Sequence, residues 1–422
     1  MMKHILPILA LIISVFASCE SFKEANDAKK IAPISLSVKA ILSVEDLKEI
    51  QNLTIKLDNY TEDLHLVQTT DDAITQIENI IPGIYTISIS GTGIDSEGNE
   101  YYLNGNLVNK ALYEGIKTLE ITLRGLKVSP LVFKEIYYAG SRTPLDGVYF
   151  RDQFYEIYNN SAETIYLDGI YFANLTPGKA TTLLPIWPEE DGDNYAYAER
   201  VWKFPGNGTE YPLASGESCV ISQFAVNHKL EQYNPNSPVD CSSSDFEFNM
   251  DNPKFPDQPA IDMLHVFYDG KAEKGKVPQY LTSVFGGAYV IFRIPEEEQW
   301  DPVNDNNMKT TDLRNPNNKR FYAKIPVKHV LDAVECIDNE SMVNAKRVPA
   351  VLDAGLTYVG ATYCSLSIAR KRTMNEDGEP IRRENGALIF EDTNNSTNDF
   401  ERGLVPILRR YDTKIPAWNH TR

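Results

Sequence analysis

From Ile34 onward, apolar and polar residues alternate in short runs, the two-residue period of strands with one face buried and one face wet. Ser35 to Ala40 follows it, as does Leu53 to Leu57. Tyr85 to Ser90 places Tyr85, Ile87 and Ile89 on one side and Thr86, Ser88 and Ser90 on the other, and Leu119 to Leu123 repeats the rule. Pro82-Gly83 precedes the third run, where a fixed φ followed by a residue tolerant of positive φ predicts a turn feeding a strand. These runs predict a small antiparallel sandwich over residues 33–127. Beyond it the alternation weakens. Phe154 to Tyr158, Thr164 to Phe172, Glu217 to Phe224 and Ala288 to Ile294 still read as strands, with turns at Asn159-Asn160-Ser161 and Asp168-Gly169. Pro326 to Leu331 predicts one or two helical turns with Pro at the first helical position, followed by a strand over Ala333 to Ile337. Residues 301–318, rich in Asn, Asp and Pro, predict a loop. The chain is thus expected to be mainly β, with a second, larger unit over 128–422 that has long loops and few short helices.

The start of the chain has a different pattern. Lys3 and His4 precede an apolar stretch, Ile5 to Phe16, of signal-peptide length and too short to span a bilayer. Phe16-Ala17-Ser18-Cys19 resembles a lipobox, with small residues for the peptidase cleft and a thiol to carry lipid, although Phe16 stands where Leu is usual. The expectation is a lipoprotein signal peptide over 1–18, lipidation of Cys19, and a polar tether over 19–32. An ordinary secretory peptide with an incidental cysteine is the alternative. Two or more acyl chains suffice for stable attachment, since each buried CH₂ contributes about 0.8 kcal/mol. The expected location is therefore the outer membrane, on its cell-surface or periplasmic face, with the membrane as partner through Cys19.

Composition narrows the chemistry. With 41 Lys+Arg against 59 Asp+Glu the net charge is −18, and no basic face with interleaved aromatics appears. Nucleic acid is not an expected partner. Cys219, Cys241, Cys336 and Cys364 allow three disulfide connectivities, and buried free thiols are the alternative. GxSxG, HExxH and a complete dinucleotide loop are absent, and no two histidines of the mature chain lie close in sequence. Asp191-Gly192-Asp193-Asn194 could offer oxygens to calcium but lacks the spacing of a known loop. No cofactor, no metal ligand and no catalytic residue is assigned.

Several segments occur in a telling order: KEIYYAGS at Lys134 to Ser141, DQFYEIYNNS at Asp152 to Ser161, and FPGNG at Phe204 to Gly208. They are followed by Tyr211-Pro212-Leu213 with Ser215-Gly216-Glu217-Ser218, then AGLTYV at Ala354 to Val359 and DTNNSTNDF at Asp392 to Phe400. Together they resemble the Bacteroidota lipoproteins of domain of unknown function 4876, over roughly Lys127 to Phe400. The EIYN strand, the PLxSGES turn and the closing DTNNSTNDF also look like lamin-tail-like domains, which implies an immunoglobulin-like sandwich for the larger unit. PGIYTISISG at Pro82 to Gly91 resembles a strand of transthyretin-like and carboxypeptidase-regulatory-like domains. None of these resemblances supplies a catalytic residue.

The strongest binding character lies in Ile186 to Trp202. Trp187, Tyr195, Tyr197 and Trp202 flank an acidic loop, and exposed rings beside carboxylates suit a sugar or a cationic ligand. The alternative is that the rings pack under their own loop. The expected function is non-enzymatic: ligand or partner binding in nutrient uptake, with an outer-membrane receptor as neighbour. The rival classes are an extracellular hydrolase acting on glycan or peptide, and a structural or adhesive surface subunit.

Overall fold

The computed structural model describes residues 32–422 except 45–46, 60, 97–99, 128–130, 189–193, 375–377 and 384. The leader, Cys19 and most of the Asp191-Gly192-Asp193-Asn194 loop lie outside the described residues.

The first strands are β1 (Ile34–Leu42), β2 (Leu47–Asn59), β3 (Leu64–Thr70), β4 (Ile74–Ile80), β5 (Gly83–Asp95), β6 (Glu100–Leu112) and β7 (Thr118–Lys127). They hydrogen-bond in the order β3-β2-β5-β6-β7-β1-β4 and close around one apolar core. Every second side chain enters it: Leu36 and Val38 from β1, Leu53, Ile55 and Leu57 from β2, Tyr85, Ile87 and Ile89 from β5, and Leu119, Ile121 and Leu123 from β7. The intervening residues are partly or fully exposed, which gives β1 and β5 their alternating burial. β1 pairs antiparallel with β4 and parallel with β7. Gly83 does not adopt positive φ, contrary to the turn reading. A Cβ there would stand 2.6 Å from Asn59 Nδ2, so close approach rather than backbone handedness selects glycine.

The remaining strands are β8 (Leu131–Tyr137), β9 (Ser141–Arg142), β10 (Val148–Tyr149), β11 (Phe154–Asn159), β12 (Ile165–Tyr166), β13 (Tyr171–Leu175), β14 (Tyr195–Lys203), β15 (Pro212–Leu213) and β16 (Ser218–Ser222). They continue as β17 (Phe246–Glu247), β18 (Ile261–Asp262), β19 (Leu264–Tyr268), β20 (Ala288–Phe292), β21 (Lys309–Thr310), β22 (Tyr322–Pro326), β23 (Val330–Ile337), β24 (Thr357–Tyr358), β25 (Ser367–Arg370) and β26 (Phe400–Leu404). One sheet runs β18-β17-β16-β11-β8-β25-β26. The other runs β21-β22-β14-β13-β20-β23-β24, with β19 also on β14. Between them lies an aromatic core in which Tyr155 stands 4.8 Å from both Phe172 and Tyr289.

Both sheets are also covered on their outer faces. Behind the second, Ala173, Ala198, Val201, Val290 and Phe292 pack with Val348, Val351 and Leu352 from later loops. Behind the first lies a layer of buried charge. A bulge in β8 sets Glu135 opposite Glu156, and Lys134 Nζ reaches Glu156 Oε1 at 2.8 Å with both side chains buried. The segment after β26 supplies the remaining partners: Ile407 N–H and the Arg410 guanidinium donate to Glu135, Arg409 N–H and the Thr413 hydroxyl to Glu156, and the Arg409 guanidinium to Asp245. Buried carboxylates persist only when nearly every lone pair is met, and this tail meets them.

Local expectations fare unevenly. Thr164 to Phe172 is not one strand, because the turn at Asp168-Gly169 splits it into β12 and β13, with Gly169 at φ +75. The Asp168 carboxylate accepts N–H bonds from Gly208, Glu210 and Tyr211, which holds the FPGNG loop in place. The helix expected at Pro326 shrinks to a single 3₁₀ turn, Val327–His329, between β22 and β23. In DTNNST, the Asn395 side chain caps the short helix Ser396–Asp399.

Candidate functional site: a cleft beside the aromatic loop

The four rings of the Ile186 to Trp202 segment do not form one exposed patch. Trp202 is wholly buried in the inter-sheet core, 4.9 Å from both Phe248 and His265, and is unavailable to a ligand. Tyr197 is buried beneath Trp187, the two rings stacked 4.0 Å apart at 15°, with Tyr322 edge-on to Trp187 at 5.5 Å. The loop carrying Trp187 is held by Asp312, which accepts Ile186 N–H, and by Arg314, which donates to the Leu184 carbonyl. Tyr195 lies under the Lys324 ammonium at 4.4 Å. Trp187 and Tyr197 thus pack under their own loop, as the alternative reading has it.

The same strand builds a cleft from two residues that the sequence reading passed over. β14 pairs Ala198 with Leu175 and Arg200 with Asn174, leaving Glu199 as the extra residue of a bulge. In a regular strand, neighbours point to opposite faces; the bulge lets both Glu199 and Arg200 line one cavity of about 370 Å³. The opposite wall is the segment Pro278 to Ser283, with Tyr268 of β19 at the side.

Arg200 is 3 % exposed. Two of its N–H groups donate to the Pro278 carbonyl at 2.9 Å, and its guanidinium stacks 4.4 Å above the Tyr268 ring. Two other buried arginines, Arg370 and Arg409, each contact at least one carboxylate. Arg200 has none within ion-pair distance among the described residues. Glu199, next to it, is turned to Gly178 N–H at 3.0 Å and toward Arg320 at 3.9 Å. Burial pulls Arg200 down to about 10, although the neighbouring Glu199 charge works the other way. Gln279 donates to the Phe248 carbonyl, yet its own buried Oε1 has no partner. The cleft is therefore lined by a buried cation without an ion pair, with Glu199 and Lys179 also on its lining.

Residues 214–407 match the family described as "Protein of unknown function (DUF4876)". A crystal structure of a DUF4876 family protein from Bacteroides thetaiotaomicron VPI-5482 is 67% identical, covering 92% of this chain and 100% of that one with a TM-score of 0.70. This chain belongs to the DUF4876 family. No curated protein matches it. The matched DUF4876 span contains Tyr268 and the Pro278 to Ser283 wall, whereas Glu199 and Arg200 precede it.

Besides the buried Glu135 and Glu156, carboxylates of this DUF4876 protein gather around Arg370 and around Glu247. Arg370 is buried among Asp332, Asp392 and Asp399, at 2.7, 2.9 and 3.6 Å. One guanidinium cannot offset three carboxylates out of water, and burial raises both Asp332 and Asp392 above the usual carboxylate range. Oxygens of Glu247, Asp257 and Asp262 lie within 4.8 Å of one another. That cluster is already served by Asn249, which donates to Asp257 and Asp262, and by Lys274, 3.2 Å from Asp262; burial lifts Glu247 to about 7. Cys219, Cys241, Cys336 and Cys364 are all free thiols. Burial pushes their pKa values upward, so they are poor nucleophiles.

Proposed function

We infer that this is a lipid-anchored protein of the outer membrane that works by holding a ligand rather than by transforming one, and that the ligand presents an anionic group to Arg200. The observation that carries the reading is the guanidinium itself. In a chain of net charge −18, a buried arginine with no ion pair among the described residues lines an open cavity, with Lys179 on the same lining. A desolvated cation of this kind is costly until an anion joins it. The binding reading draws further support from the acids with raised pKa values, which are spent on neighbours. Asp332, Asp392 and Asp399 close around Arg370, and Glu247 accepts N–H bonds from Ala225 and Gln258. Among the described residues no helix is long and apolar enough to cross a membrane. The lipobox-like Phe16-Ala17-Ser18-Cys19 supports attachment through Cys19, and a tethered binder beside an outer-membrane receptor suits nutrient uptake.

Two measurements test this. Cys19→Ala should move the protein from membrane to soluble fraction or stall its processing; unchanged retention contradicts the anchor. Isothermal titration should show galacturonate binding and galactose not binding. Arg200→Gln should weaken the galacturonate affinity by about tenfold or more, the range expected for charge-assisted hydrogen bonds. Circular dichroism of the variant checks that the fold survives. Equal binding of the two sugars, or of galacturonate by wild type and variant, contradicts the cleft assignment.

A further inference from the structure

A second cavity, of about 400 Å³, adjoins the first. Leu281 lines both, and so forms the ridge between them. The second cavity is walled by Phe150, Tyr233 and Phe255, with Arg151 and Gln232 on its lining. It repeats the motif of its neighbour: the Arg151 guanidinium lies 4.6 Å from the Phe255 ring, as Arg200 lies over Tyr268. Arg151 also has no carboxylate within ion-pair distance among the described residues; its one hydrogen bond goes to the Lys254 carbonyl at 3.4 Å. Two cation-on-ring pairs thus flank one leucine, each without an ion pair among the described residues.

We propose that the two cavities are adjacent subsites for one extended anionic glycan, a chain whose sugars carry carboxylate or sulfate groups. The proposal rests on the Arg200 reading and extends it. Each arginine fork matches the planar oxygens of a carboxylate or the oxygens of a sulfate. The partly exposed Phe150 and Tyr233 rings of the second cavity offer apolar faces to the C–H side of a pyranose, and the Gln232 amide and Ser283 hydroxyl can pair with its hydroxyls. These rings distinguish a glycan from an acidic peptide: with apolar faces beside Arg151, a flat sugar unit fits the second cavity better than an acidic side chain does. Linking two weak subsites through one chain raises affinity without any new contact, provided the chain spans both.

The test is a titration of the full-length protein with galacturonate oligomers of increasing length, their methyl esters, a sulfated galactan oligomer and polyglutamate. Affinity should rise by about tenfold or more when the chain becomes long enough to reach both cavities, the gain expected of a linked second site. Methyl esters should lose that affinity. Binding of the uronate or of the sulfated chain identifies the acidic group, and either outcome supports the proposal. Arg151→Gln, on a less buried side chain, should erase the length effect while leaving the monomer's affinity within about twofold, because it touches only the second subsite. Suppose monomer binding depends on Arg200 but neither chain length nor Arg151→Gln matters; then the single-cavity reading stands and the extended ligand is wrong. Polyglutamate binding in place of the glycans also overturns the proposal. If no carboxylated or sulfated sugar binds, both readings fall.

Discussion

The two halves of this protein bury their strands in different ways. In the N-terminal sandwich, β1 and β5 alternate buried and partly exposed residues along their length. In the larger unit, β8, β11, β16 and β20 are buried at every position. The first arrangement needs one core and leaves water on the other face. The second is a sandwich within wrappings, one sheet backed by apolar loops and the other by buried ion pairs and the C-terminal segment. A strand buried on both sides has no period for a sequence pattern to reveal. Lys134, Glu135 and Glu156 show how far this goes, since three ionisable residues on neighbouring strands would ordinarily be read as a wet face.

The sharpest way to break the comparison is to remove the outer wrapping. Deleting residues 405–422 strips Glu135, Glu156 and Asp245 of donors. The larger unit should then lose its cooperative thermal transition in calorimetry, while the N-terminal sandwich keeps its own. Survival of both transitions would mean that the tail is ornamental. Next in size, Lys134→Met leaves Glu156 buried without its cation and should cost about 3–5 kcal/mol, the usual penalty for breaking a buried pair. Replacing both partners with well-packed apolar residues should recover most of the loss in urea denaturation. A smaller contrast comes from single-position scanning. Ile87→Ala should cost about 2–5 kcal/mol while Ser88→Ala stays within about 0.5 kcal/mol. In β16, by contrast, both Ile221 and Ser222 should be sensitive, because these neighbours on opposite faces are both buried.

The last expected effect is pH-dependent. Burial raises the folded-state pKa of Glu247 to about 7, against roughly 4.3 for an unfolded glutamate. The native state therefore binds the proton more tightly than the unfolded one between those values, and stability falls as pH rises through that window. Glu247→Gln should remove this slope, so the variant's stability relative to wild type should improve from pH 4.5 to pH 7.5. An unchanged difference across that range would show that Glu247 ionises normally.

What the sequence conveyed follows the same division. The alternation at Tyr85 to Ser90 and Leu119 to Leu123 described β5 and β7 correctly, and short apolar runs marked β11, β16 and β20. Trp187, Tyr195, Tyr197 and Trp202 drew notice by residue type alone, but type does not tell a ring that fills a core from one that meets a ligand. Glu199 and Arg200 were invisible for a different reason. Their shared orientation depends on a bulge created by pairing with β13, and their importance on a loop about eighty residues later in the chain that brings Pro278 onto the guanidinium. No local pattern carries either fact. The tail's role was hidden likewise, because its arginines look solvated until the acids beneath them are known.

The most direct test of the binding account is hydrogen exchange of the full-length protein with and without a galacturonate tetramer, read peptide by peptide. The account predicts slowed exchange in the peptides covering β14 and Pro278 to Ser283, with the Leu184 to Pro188 loop unchanged. Protection confined to that aromatic loop, or absent from the whole chain at saturating ligand, would contradict it.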